Sequence, residues 1–104
     1  MELVIETNPT PECYTIAVTG EIDISNATKL RESIDYALAQ PTEKVRIDFA
    51  NVSYIDSTGI GVLVGAAHHA QESGKGFEAV NAQPNVLRVA QLLGLDKEIG
   101  ISAA

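Results

Sequence analysis

The run from Ile60 to Ala70 constrains the fold more than any other part of the chain, because nearly every residue in it is apolar or small. A helix that is apolar almost all round has to be covered by other elements. Gly59, Gly61 and Gly65 would each weaken an isolated helix by about 1 kcal/mol relative to Ala. Such a helix is held by packing, and the expectation is that its glycines let it lie close to a sheet.

The rest of the chain supplies that sheet. Leu3, Ile5 and Thr7 alternate with Glu2, Val4 and Glu6, which predicts a first strand. Asn8-Pro9-Thr10-Pro11 breaks it, since prolines restrict the backbone and remove donors. Cys13–Thr19 is rich in β-branched and aromatic residues and reads as a second strand, so the two form an antiparallel hairpin. Gly20 to Ile24 reads as a connection, and Ser25 as a helix cap. Ala27, Leu30, Ile34, Ala37 and Leu38 then mark one apolar helical face. Val45, Ile47 and Phe49 alternate as a third strand, and residues 51–55 read as a loop anchored by Val52 and Ile55. Asp56 or Ser57 caps the apolar helix, and Gly74 stops it. Phe77, Ala79 and Val80 make a short fourth strand. Pro84 starts a last main helix with a stripe of Val86, Val89, Ala90 and Leu93, closed by Gly94. Leu95, Ile99 and Ile101 are expected to dock, with the tail fraying from Ser102.

The order is therefore β β α β α β α, with right-handed crossovers between parallel neighbours. The expected fold class is α/β: one domain over residues 1–104, a mixed sheet of about four strands packed by three main helices. A chain of 104 residues suits one domain rather than two.

Charge narrows the function classes. Asp and Glu number 14 against 7 Lys and Arg, for a formal charge of -7. Such a chain repels phosphate backbones and anionic lipid heads, so nucleic acid and membrane are not expected partners. The lone Cys13 cannot form an internal disulfide, which fits a reducing compartment. The acidic, alternating start lacks the features of a signal peptide, and no apolar stretch is pure enough to span a bilayer. The expected location is the cytoplasm, and a monomer is the default.

Chemistry concentrates in Tyr54-Ile55-Asp56-Ser57-Thr58-Gly59-Ile60-Gly61-Val62. A hydroxyl at the start of the apolar helix sits beside unpaired N–H groups, where negative charge is favoured. A phosphate on Ser57 would meet that field, and glycines at 59 and 61 would leave the surrounding surface bare for a partner. Ser57 and Asp56 can equally be plain helix caps, with the glycines present only for packing. The residues alone leave both readings open.

Asp56-Ser57-Thr58-Gly59-Ile60-Gly61 resembles the Asp-Ser-(Ser/Thr)-Gly-(Leu/Ile)-Gly signature of STAS-domain anti-sigma-factor antagonists. Gly20-Glu21-Ile22-Asp23 resembles that family's Gly-x-(Leu/Ile)-Asp. Val45-Arg46-Ile47-Asp48-Phe49 is similar to its third strand, and Leu92-Leu93-Gly94-Leu95 to its C-terminal helix ending. The likeness runs over residues 2–101. It implies partner switching: the unphosphorylated protein binds an anti-sigma factor that is also a serine kinase, and the sigma factor is released. The kinase, with its own ATP and Mg²⁺, then phosphorylates Ser57, and a serine phosphatase resets the cycle. The resemblance makes Ser57 the phosphoacceptor, with Thr58 as fallback, and places Asp23, Asp56, Thr58, Gly59, Ile60 and Gly61 on the partner-binding face. It implies a regulator rather than an enzyme. The basic residue often found further along the helix is missing from Gly65-Ala66-Ala67-His68-His69. An alternative within the same fold is a scaffold or accessory subunit of a transport or signalling complex.

Three other chemistries fit worse. A nucleophile elbow needs glycine where Ile55 stands, and His68 and His69 lie roughly 16 Å along the helix from Ser57 at 1.5 Å per residue. A receiver domain with Asp48 or Asp56 as acceptor needs a fuller doubly wound sheet and an acidic Mg²⁺ pocket. Adjacent helical histidines point apart and chelate one ion poorly, and Cys13 reads as a packed small hydrophobe. No Gly-x-x-x-x-Gly-Lys-(Ser/Thr) loop occurs, and neither cofactor nor metal is expected.

Overall fold

The β-branched segments fold into one sheet, and the computed structural model describes residues 2–104. Strand β1 (Val4–Pro9) pairs antiparallel with β2 (Tyr14–Ile22), as the hairpin reading expects. Helix α1 (Ala27–Leu38) leads to β3 (Lys44–Ile55), parallel to β2. Helix α2 (Ser57–Glu72) leads to β4 (Gly76–Ala82), parallel to β3. Helix α3 (Pro84–Leu92), a short α4 (Asp96–Ile99) and β5 (Ile101–Ala103) complete the chain. The strand order is β1-β2-β3-β4-β5.

The sheet thus has five strands rather than about four. The added one is the tail: Ser102 and Ala103 do not fray but pair beside β4, where the docked Ile99 and Ile101 hold them. Strands β2 and β3 also run further than expected. Gly20–Ile22 continues β2 instead of forming a connection, and residues 51–55 continue β3 instead of forming a loop. Strand β2 keeps its alternation through Ile22; in β3 the cause is irregular register, with shifts opposite Ala17/Thr19 and opposite Gly20/Glu21. Along β3 the buried positions change from every second residue (Val45, Ile47, Phe49) to every third (Val52, Ile55), so the alternation that announces a strand disappears there. Gly20 of β2 lies between the two shifts. Its φ of +124 is open to glycine alone, and a Cβ there would lie 3.3 Å from the Glu2 carbonyl oxygen.

The predicted face of α1 is buried throughout: Ala27, Leu30, Ile34, Ala37 and Leu38. Helix α1 packs on β2, β3 and α2, and α2 packs on β3 and β4. Pro84 opens α3 as expected, and Val86 and Ala90 are buried, but Leu93 is largely exposed and is not part of the packed stripe. Arg46 of β3 pairs with Glu78 of β4 at 2.6 Å, with Lys44 beside them. That pair holds the Glu78 carboxyl below the ordinary glutamate range, chiefly through the guanidinium hydrogen bond.

Candidate functional site

The parallel strands β2 and β3 end level with each other, Ile22 opposite Ile55. One residue on, the Asp56 N–H donates to the Ile22 carbonyl at 3.1 Å. This bond ties the β2–α1 loop to the start of α2, so two segments far apart in sequence form one end of the molecule.

Asp56 is extended and caps α2, its Oδ1 accepting the Gly59 N–H at 3.0 Å. Of the two cap candidates it is therefore Asp56 that serves, which frees Ser57. Ser57 is the first helical residue and is exposed, as is Thr58. The first N–H groups of a helix have no intrahelical acceptor, so the Ser57 hydroxyl stands in solvent beside a patch of partial positive charge.

Gly59 and Ile60 lie beneath this surface. Ile60 is fully buried. A Cβ on Gly59 would lie 2.6 Å from Ile55 Cγ1 and 2.8 Å from Ile22 Cγ2. Neither residue reaches the surface with a side chain; they seat the helix on the strand ends. Gly61 and Gly65 do the reverse. Both are exposed, and a Cβ on either would meet nothing within 4 Å. Only Gly59, then, brings the helix close to the sheet. Gly61 and Gly65 instead floor a groove of about 420 Å³ between α1 and α2, which Thr58, Val62 and Ala66 line along with Arg31 and Asp35 from α1. The helical spacing of positions 58, 61, 62 and 65 carries that shared face in the sequence; Arg31 and Asp35 had no local signal.

On the neighbouring loop, Asp23 to Asn26 form a turn closed by the Asn26 N–H and the Asp23 carbonyl at 3.1 Å. Asp23 Oδ1 accepts from the Ser25 hydroxyl and from the Ser25 N–H at 2.9 Å. Those bonds, the hydroxyl first, hold the Asp23 carboxyl below the usual aspartate range. Ser25 thus serves Asp23 and does not cap α1. The residue at the cap is Asn26, and its side chain turns back to accept from the Asp23 N–H at 2.9 Å and to donate to the Glu21 carbonyl at 2.7 Å.

The two histidines engage elsewhere. His68 Nε2 lies 2.8 Å from Glu98 Oε1 on α4, and His69 Nδ1 lies 3.4 Å from Asp35 Oδ1 on α1. They diverge to two different helices and stand late on α2, so they form no Ser-His pair with Ser57. Cys13 lies just ahead of β2, half-buried, with Sγ 3.7 Å from Thr15 Oγ1.

Residues 5–101 match the family described as Mlab, STAS domain. The chain is 36% identical over 88 residues to the anti-sigma-B factor antagonist of Bacillus subtilis, covering 85% of this chain and 80% of that one. The structure of the anti-sigma factor antagonist SpoIIAA in its unphosphorylated form superimposes with a TM-score of 0.81 at 24% identity, over 97% of this chain and 88% of the other. The Bacillus cell fate determinant SpoIIAA in the phosphorylated form superimposes with a TM-score of 0.74 at 23% identity, over 97% and 91%.

Proposed function

The chain belongs to the STAS domain family, and on that premise we propose that it is an anti-sigma-factor antagonist whose partner binding is switched by phosphorylation of Ser57. The observation that carries this reading is the exposed Ser57 hydroxyl at the first position of α2, released from capping by Asp56 and set on strand ends packed from below by Gly59 and Ile60.

Unphosphorylated, the protein binds an anti-sigma factor that is also a serine kinase, and the sigma factor is freed. The surface that docks comprises Ser57, Thr58, Asp56, Asp23 and Gly61. The kinase brings ATP and Mg²⁺, so this chain contributes a substrate hydroxyl and a surface, not catalysis. Phosphorylation adds about -1.5 to -2 charges at pH 7. In a closed interface beside the Asp56 and Asp23 carboxylates, that charge adds bulk, repulsion and desolvation cost. Each 1.4 kcal/mol of such cost is about tenfold in affinity, so release requires no change of fold. The likeness of this chain to SpoIIAA in both phosphorylation states supports a switch that leaves the fold intact. The cycle belongs in the cytoplasm; no helix among the described residues is long and apolar enough to cross a membrane. A serine phosphatase closes the cycle.

The test begins with capture of the kinase by unphosphorylated protein, followed by ATP and Mg²⁺ and mapping of the modified residue by mass spectrometry. One phosphate on Ser57 with loss of the complex is expected. Ser57→Ala should fold like wild type and stay bound in the presence of ATP, whereas Ser57→Asp should fold and bind poorly. A phosphate confined to Thr58 would move the switch one residue. A stable partner without kinase activity would replace the reading with a scaffold or accessory role.

A further inference from the structure

We propose that Ile24 is the apolar anchor that selects the kinase at this site; the inference rests on the reading of Ser57 above. Ile24 is 78% exposed, the most exposed large apolar side chain among those described. A single exposed apolar residue needs no explanation by itself, and Leu92, 76% exposed at the last position of α3, is such a case. Ile24 differs in being held.

It occupies the first corner of the Asp23–Asn26 turn, flanked on both sides by hydrogen-bonded residues. Asp23 and Asn26 lock the turn through their side chains, which gives them local reasons to be there. The first corner position accepts most residue types, so an isoleucine there has no local reason. The turn itself is tied to α2 through Ile22 and Asp56. An isoleucine is therefore presented in a fixed place at the same end of the molecule as Ser57, two residues after the Ile22 carbonyl that binds the Asp56 N–H and between the polar side chains of Asp23 and Ser25. Apolar anchors enclosed by a polar rim carry much of the energy of protein interfaces. Because the turn is ordered before binding, little entropy is lost when the anchor is buried. The partner that fits is the kinase that modifies Ser57, offering an apolar pocket next to the entrance of its active site.

A docking anchor acts on KM and not on kcat, because it remains bound equally in the ground and transition states. The measurement is steady-state phosphorylation of Ser57 by the captured kinase, for wild type, Ile24→Ser, Ile24→Val and Leu92→Ser, with thermal midpoints alongside. Ile24→Ser is expected to keep the wild-type midpoint and kcat while raising KM about tenfold or more. Ile24→Val, which keeps an apolar β-branched side chain, should remain close to wild type, and so should Leu92→Ser. An unchanged KM for Ile24→Ser overturns the anchor while leaving the switch standing. So does an equal rise for Leu92→Ser, which would mean general stickiness. Loss of kcat alone would make the turn part of acceptor positioning and also overturns the anchor. If no kinase phosphorylates wild-type Ser57, the proposed function falls and takes the anchor with it.

Discussion

The inner and outer faces of α2 use the same residue type to opposite ends. Inside, Gly59 brings the helix onto Ile22 and Ile55, and Ile60, Leu63, Ala66 and Ala70 bury the face behind it. Outside, a Cβ on Gly61 or Gly65 would touch nothing, and the two glycines leave the floor of the α1–α2 groove bare. A small residue in the interior records a close approach already made within the chain. A small residue on the exterior costs helix stability and leaves backbone accessible to another molecule. The contrast separates what α2 does for the fold from what it would offer a partner under the proposed function.

The largest effect is expected on the inner face. Gly59→Ala forces a methyl group against two β-branched side chains, Ile55 at 2.6 Å and Ile22 at 2.8 Å. Overpacking of this kind costs about 1–3 kcal/mol; two contacts under 3.0 Å put it in the upper part of that range, above the gain in helix propensity of about 1 kcal/mol. Urea denaturation should show a net loss of stability. A neutral or stabilised Gly59→Ala would mean that α2 is free to lift from the strand ends, and the rigid presentation of Ser57 would go with it.

The outer face should respond with the opposite sign. Gly61→Ala adds a methyl group into open space, so the chain should gain about 0.4–1 kcal/mol from reduced backbone freedom in the unfolded state. If the bare groove is a docking surface, kinase binding should weaken in the same variant. Denaturation and binding measured on one preparation would then move apart. If both improve, the outer glycine is not a contact.

Much of this arrangement was legible in the chain. The face of α1, the hairpin and the parallel crossovers follow from periodicity, and the Asp56-Ser57-Thr58-Gly59 motif sits at a helix start as its resemblance implied. The second half of β3 was not legible, because the register shifts turned an alternating pattern into one of every third residue. Strand β5 is three residues long and carries too little pattern to announce itself. The division among the glycines was legible but missed. At 3.6 residues per turn, positions 59 and 61 lie about 200° apart on the helix, so they could not both face the sheet. The role of Ser25 depended on whether its hydroxyl reached Asp23 or a helix N–H, and a cap preference does not decide that.

The smallest expected effect tests whether charge belongs to this contrast at all. Close ion pairs join β3 and β4, where Arg46 and Lys44 meet Glu78, so one part of the acid response of folding should arise on the sheet, apart from the His68–Glu98 and His69–Asp35 contacts that α2 makes. The folded-state affinity of Glu78 for a proton is lowered by Arg46. Its contribution to stability is therefore fully present above the ordinary glutamate value of about 4.3 and is lost as the pH falls below it. With roughly a third of each side chain still exposed, the pair is worth only about 0.2–1 kcal/mol. Glu78→Gln should reduce stability by that amount at pH 7, and its difference from wild type should shrink as the pH falls below the ordinary glutamate value. Gly61→Ala should leave the difference between pH 7 and pH 3 unchanged. If Glu78→Gln kept the wild-type pH slope, the acid response would have to come from carboxylates elsewhere, with Asp23 the first to substitute, since its hydrogen bonds to Ser25 also favour the charged form. The proposed docking end and the stability of the fold would then share a titrating group, and the separation drawn across α2 would no longer hold under acid.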